Sequence, residues 1–120
     1  MIQKLEINGV HLKIDEDLRK YVTKKIGHLD RYIPRHARES AHAEVFLKEE
    51  KKSKGNKHNT CEVILRLPKD TLTTKESTMN IYAAIDIVEA KLKNQLKKYK
   101  ETHTNLRLHR RMLQRLKRNP

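Results

Sequence analysis

Tryptophan is absent from this 120-residue chain, and phenylalanine and cysteine occur once each, as Phe46 and Cys61. One phenylalanine leaves no aromatic pair of the ribonucleoprotein kind, so stacking on single-stranded bases is a minor mode at most. One cysteine excludes a disulfide framework and a CxxC zinc site, and fits a reducing, cytoplasmic setting. The seven histidines show no HExxH spacing, so no metal is expected. The three glycines, Gly9, Gly27 and Gly55, stand alone. That excludes a P-loop, a nucleophile elbow and a dinucleotide fingerprint. With no paired acid and base and no activated nucleophile, neither an enzyme nor a cofactor is expected. No apolar run approaches the roughly 20 residues that span a bilayer. Lys4 and Glu6 interrupt the first apolar stretch, against a signal peptide. A hydrophobic fraction of 36% suits one thin two-layer domain better than a core with a large pocket.

Positive charge is what the chain has in excess. Lysine and arginine number 28 against 15 acids, a formal net charge of +13. Such a balance points to a polyanion, with nucleic acid ahead of an anionic membrane. The plainer alternative is a soluble surface that is merely basic.

The apolar pattern predicts the order β-α-β-β-β-α. Leu5 and Ile7 alternate around Glu6, and Asn8-Gly9 is a turn pair, so residues 2–8 read as a short strand. Asp15 is a good N-cap, followed by Glu16 and Asp17 where a helix dipole favours acids. Leu18, Tyr21, Val22, Ile26, Leu29 and Tyr32 recur at helical steps, and Pro34 closes the segment. The period then changes to two. Ala41, Ala43, Val45 and Leu47 form one face of a strand, and Cys61, Val63, Leu65 and Leu67 form one face of the next. Between them "KEEKKSKGNKH" reads as a solvated hairpin loop with Gly55-Asn56 at its tip. "DTLTTKES" is a weaker strand. Ile81, Ala84, Ile85, Val88, Leu92, Leu96 and Tyr99 give the last helix, capped by Thr78 or Asn80 and frayed near Glu101 by "THTN". The expected fold is a two-layer α/β (α+β) arrangement, a four-stranded mixed sheet with both helices on one face. The first strand–helix–strand connection permits a parallel pair, and the remaining strands should be antiparallel. Residues 1–102 form the domain, and residues 103–120 form a basic, flexible tail.

The segment "KLKNQLKKYK" holds five lysines in ten residues with no acid. A helix C-terminus favours one or two cations; five exceed that need, and with Glu89 able to pair only with Lys93 the block is otherwise without acids at helical spacing, as phosphate binding requires. On a helical wheel Lys93, Lys97 and Lys100 fall on one flank of the apolar stripe, and Lys91 and Lys98 on the other. The first helix carries Lys20, Lys24 and Arg31 with His28 beside them. Lys25 projects past the apolar stripe, and Arg35 and Arg38 continue the charge into the following loop. Lys20, Lys24, Lys91 and Lys98 are expected to share one surface. The terminal "HTNLRLHRRMLQRLKRNP" carries five arginines and one lysine without an acid. It reads as an arm that orders on RNA, with Arg107, Arg110 and Arg111 as secondary contacts, or as a basic amphipathic segment on an anionic membrane. Short length and missing aromatics favour RNA. No helix-turn-helix, zinc finger or basic zipper is present, so cations contacting a folded RNA backbone by shape is the preferred physical reading.

"KIDEDLRKYVTKKIGHLDRY" followed by "NIYAAIDIVEAKLKNQLKKYK" resembles the ribosome hibernation-promoting factor family, also called ribosome-associated inhibitor, protein Y or sigma-54 modulation proteins. The likeness covers about residues 2–102 and is strongest in "YAAIDIVEAKLKNQLKKYK". It implies a βαβββα fold similar to a double-stranded-RNA-binding domain. It also implies docking in the decoding region of the small ribosomal subunit, over the mRNA and tRNA sites, so that translation stops in stress or stationary phase. The implied ribosomal RNA contacts are Lys91, Lys93, Lys97, Lys98 and Lys100 with Lys20, Lys24 and Lys25; the charge pattern adds Arg31 to them, with Arg35 and Arg38 as secondary contacts. Tyr82 and Asp86 match the family pattern as structural residues, and Asn80-Ile81 replaces the usual Asp-Met as a benign cap variation. The expected state is a monomer off the ribosome, with no membrane partner. Residues after 102 do not resemble the dimerisation domain of long-form members, which leaves two readings open: a block of single ribosomes, or assistance to a second, ribosome-dimerising factor. The older family name implies the alternative of a transcription modulator acting by protein contact.

Overall fold

The computed structural model describes the backbone of residues 1–51 and 57–118 and the side chains of residues 1–51 and 58–102. Four strands, β1 (Lys4–Val10), β2 (His42–Lys51), β3 (Lys57–Leu67) and β4 (Asp70–Thr78), lie side by side in that order. β1 and β2 are parallel, and the other two pairs are antiparallel. A helix α1 (Glu16–Gly27), a 3-10 turn (His28–Tyr32) and a short helix α2 (Arg35–Arg38) fill the first crossover; a long helix α3 (Ile81–Arg118) follows the sheet.

Register explains the core. Ile7, Val45, Val63 and Thr74 stand in one row across all four strands, and Leu5, Ala43, Leu65 and Leu72 form the next row. Alternation puts these residues on a single face. There they pack with Leu18, Val22 and Ile26 of α1 and with Ala84, Ile85, Val88, Leu92 and Leu96 of α3. The mixed α+β sheet expected from the sequence is therefore present, stabilised by apolar area removed from water.

Both helix starts are capped. Asp15 Oδ1 accepts from Leu18 N at 2.7 Å. Of the two candidates for α3, Asn80 is the cap: its side-chain oxygen accepts from Tyr82 N at 2.9 Å, and its carbonyl accepts from Ala84 N at 3.1 Å. Thr78 supports it, its hydroxyl accepting from Asn80 N at 3.1 Å and donating to the Asn80 carbonyl.

Four expectations are corrected. Asn8-Gly9 is not a turn: parallel pairing continues through Gly9↔Leu47 and Val10↔Lys48, and the chain reverses afterwards at His11, whose φ is 55°. Gly9 is needed for close approach instead, since a Cβ there would sit 2.5 Å from the Leu12 carbonyl oxygen. The charged hairpin loop is shorter than expected, because Lys48–Lys51 and Lys57 pair within the strands; its Gly55-Asn56 tip lies outside the described residues. Arg35 and Arg38 sit on α2, not in a loop. Finally, α3 continues through "THTN" to Arg118 rather than ending near Glu101. Each of those residues costs less than about 0.7 kcal/mol in helix propensity, while an established helix gains a hydrogen bond for every residue added.

Candidate nucleic-acid interface

Asp86 joins the two long helices. Tyr21 of α1 donates its hydroxyl to Asp86 Oδ1 at 2.5 Å, and Lys25 Nζ lies 3.7 Å from the same oxygen. The hydrogen bond to the carboxylate, with burial and the charges of Asp86 and Glu89, pushes the Tyr21 phenol up to about 12. Tyr82 packs edge-on against Tyr21, with ring centres 5.0 Å apart. The structural part expected of Tyr82 and Asp86 is thus visible as an interhelical clasp.

That clasp sets the two basic flanks of α3. Facing α1, Glu89 and Lys93 line a cleft of about 390 Å³ with Lys24, Lys25, His28, Leu29, Arg31 and Tyr32. Lys93 Nζ stands 5.2 Å from the centre of the Tyr32 ring, and Arg31 approaches the same ring at 6.0 Å. Arg31 is steadied by its Nε donating to the His28 carbonyl at 3.2 Å. Lys97 and Lys100, four and seven residues beyond Lys93, are exposed and continue this row at helical spacing.

The other flank faces β4. Lys91 pairs there with Glu76, and Lys98 lines a separate shallow hollow with Asp70, Leu72, Gln95, Tyr99 and Thr102. Tyr99 fixes that side, its hydroxyl donating to the Pro68 carbonyl at 3.0 Å. Burial first, then the charge of Asp70, raises its phenol.

Lys20, Lys24, Lys91 and Lys98 therefore do not share one surface, contrary to expectation. The cleft gathers Lys24 with Lys93, while Lys91 turns to the sheet edge, because α1 and β4 lie on opposite sides of α3. The lysine block is also not wholly unpaired. Lys91 has a carboxylate from a distant strand, which intrahelical spacing could not reveal. Lys25, which does pass the apolar stripe, is bound between Asp86 and Glu89, the latter at 4.0 Å. Lys20 makes an exposed i,i+4 pair with Glu16 at 3.7 Å, of small energetic weight. Arg38 gives its Nε to the Ile33 carbonyl at 2.9 Å, holding the Pro34 turn, and both Arg38 and Arg35 are exposed. Among the described residues, Lys24, Arg31, Lys93, Lys97, Lys98 and Lys100 have no carboxylate within 4.0 Å. Arg107, Arg110 and Arg111 lie in the part of α3 whose side chains are outside the described residues.

Sequence reasoning missed Tyr32 as part of this site, and it paired Glu89 with Lys93, whereas Glu89 lies against Lys25. The available signal for Tyr32 was its place as the aromatic that closes the first apolar stripe. Among the described residues no group of three or more metal-ligating side chains comes together, and no helix is long and apolar enough to cross a membrane.

A mixed four-stranded sheet under two long helices, with a basic cleft between them, defines a small α+β domain of a known kind. Residues 5–104 match the family model described as Sigma 54 modulation protein / S30EA ribosomal protein, and the chain belongs to that family. It is 35% identical over 97 residues to the ribosome hibernation promotion factor of Staphylococcus aureus (strain COL). That match takes in 81% of this chain and 48% of the relative, so the chain spans about half the length of that protein. Among solved structures, the Thermus thermophilus Protein Y N-terminal domain superposes with a TM-score of 0.65 at 30% identity, over 78% of this chain and 94% of that one. A ribosomal subunit interface protein from Coxiella burnetii shares the fold, with a TM-score of 0.67 at 23% identity over 82% of this chain and 99% of its own.

Proposed function

We propose that this domain is a ribosome hibernation factor. It binds the small subunit in the decoding region, occupies the mRNA and tRNA sites, and holds translation off during stress or stationary phase. The observation that carries the reading is the cation row Lys24, Arg31, Lys93, Lys97 and Lys100, free of carboxylate partners among the described residues, on a member of a ribosome-associated family. Phosphate groups of ribosomal RNA supply the missing counter-charge, and release of their condensed counterions drives association. The relatives' printed names, a hibernation promotion factor and a subunit interface protein, point the same way. The chemistry asked of the protein is occupancy, not turnover.

Sedimentation with ribosomes through a sucrose cushion tests this. The chain should pellet with the small subunit at low salt. If about 6–8 phosphates are neutralised, the log–log salt slope should be about −4 to −7. A chain left in the supernatant at low salt, or a flat salt dependence, removes the reading.

A further inference from the structure

The cleft holds more than phosphate binding asks for. A ridge of cations suffices to meet a nucleic-acid backbone, yet here Leu29 and Tyr32 accompany Lys24, His28, Arg31 and Lys93 in one recess. The Tyr32 ring is only half-buried and is approached by Lys93 at 5.2 Å and Arg31 at 6.0 Å. The remaining lining residues, Lys25 and Glu89, lie within 4.0 Å of each other, which leaves the rim cations as the net charge. A volume of about 390 Å³ falls in the range that small-molecule sites occupy. Every base has a π-face that stacks on tyrosine, and a base brings its phosphate with it.

We propose that this cleft seats one unstacked nucleotide, its base against Tyr32 and its 5′-phosphate on the rim cations. The inference deepens the polyanion reading above and rests on it. When the base arrives, Lys93 leaves the ring for the phosphate, so its contact with Tyr32 in the free protein holds the side chain in readiness. The nucleotide is either a splayed-out position of folded RNA or a member of the free pool; the chemistry recognised is the same. Base stacking, a minor mode by the aromatic count alone, acquires one defined place.

The test is an NMR titration of the full isotopically labelled chain with AMP, GMP, CMP and UMP, and in parallel with ribose 5-phosphate and inorganic phosphate. Mononucleotides should shift the Tyr32 ring signals and bind about tenfold more tightly than ribose 5-phosphate, the margin that stacking supplies. Tyr32→Phe should keep that margin, Tyr32→Leu should remove it, and Lys93→Gln should weaken nucleotide and ribose 5-phosphate alike. Equal affinity of the unmodified chain for nucleotides and ribose 5-phosphate overturns the proposal, and that comparison needs no variant to fold. So do shifts spread over the surface lysines with none at Tyr32. Competition by a six-nucleotide single-stranded RNA, but not by the same strand in a duplex, assigns the nucleotide to RNA. Tighter binding of the mononucleotide than of the single strand assigns it to the free pool. Failure here with intact ribosome co-sedimentation sinks the nucleotide seat alone, whereas loss of co-sedimentation sinks the ribosome reading.

Discussion

The ammonium of Lys93 lies 5.2 Å from the centre of the Tyr32 ring, linking the basic flank of α3 to the 3-10 turn that follows α1. At an exposed position such a contact contributes about 0.5–1 kcal/mol. That is enough to orient a lysine and too little to hold it when a phosphate arrives. Lys91, two residues earlier, points to the opposite side and is bonded to Glu76. One helix thus carries a poised lysine on one flank and a neutralised one on the other.

Neutralising one lysine at a time on the two flanks should therefore have unequal effects. Lys93→Gln and Lys97→Gln, each alone, are expected to weaken co-sedimentation with ribosomes at physiological salt. Lys91→Gln is expected to leave most of it, because Lys91 already has a carboxylate. Each phosphate contact removed should lower the salt slope by about 1. Thermal melting should change little for Lys97, an exposed residue, since surface substitutions usually stay within about 0.5 kcal/mol. Equal losses from the two flanks would show that the cleft side has no privilege.

Tyr21→Phe should loosen the clasp between α1 and α3. The phenol of Tyr21 is raised to about 12 by its hydrogen bond to Asp86, above the ordinary tyrosine value of 10.0. A group whose folded value is raised contributes stability that is fully present below its unfolded value and is lost as pH climbs through the folded one. The stability gap between the native chain and Tyr21→Phe should hold constant up to about pH 10 and close between about pH 10 and 12. In an ultraviolet titration, the variant should lose one late-ionising tyrosine. A gap that widens above pH 10 would contradict the assignment.

Gly9→Ala and Gly27→Ala should differ although both add one methyl group. At Gly9 the new carbon meets the Leu12 carbonyl oxygen at 2.5 Å, a backbone atom that cannot step aside. A loss of about 1–3 kcal/mol is expected, as for other overpacked sites. At Gly27 the nearest atom is the Met1 side chain at 2.9 Å, which can rotate away. That variant should lie close to neutral in chemical denaturation.

Cys61 should be inert to alkylation in the folded protein. It is fully buried beneath the helices, and burial, helped by the charge of Glu62, pushes its thiol up to about 12. The thiolate is the reactive form. Iodoacetamide labelling at pH 8 should follow global unfolding rather than the free-thiol rate, rising in step with denaturant. Rapid labelling in native buffer would mean that β3 opens locally.

Residue order alone determined the elements and the core. Period-two runs such as Ala43-Val45-Leu47 and the three- and four-residue steps of Ile81 to Tyr99 specify which face of each element leaves water, and Asp15 and Asn80 mark helix starts through local hydrogen bonds. These are short-range rules, legible in any window of the chain. The length of α3 was less legible, because weak helix formers are tolerated once a helix is already propagating.

Charge distribution is different. A helical wheel assigns Lys91 and Lys93 to opposite flanks, but it cannot say which flank meets another helix and which meets a strand. Only the packed sheet order decides that Glu76 neutralises Lys91 while Lys93 joins Lys24, Arg31 and Tyr32, residues more than sixty positions away in the chain. Local sequence writes secondary structure because backbone hydrogen bonds close over three or four residues. Partners across a cleft are set by tertiary packing, where side chains distant in sequence come within a few ångströms.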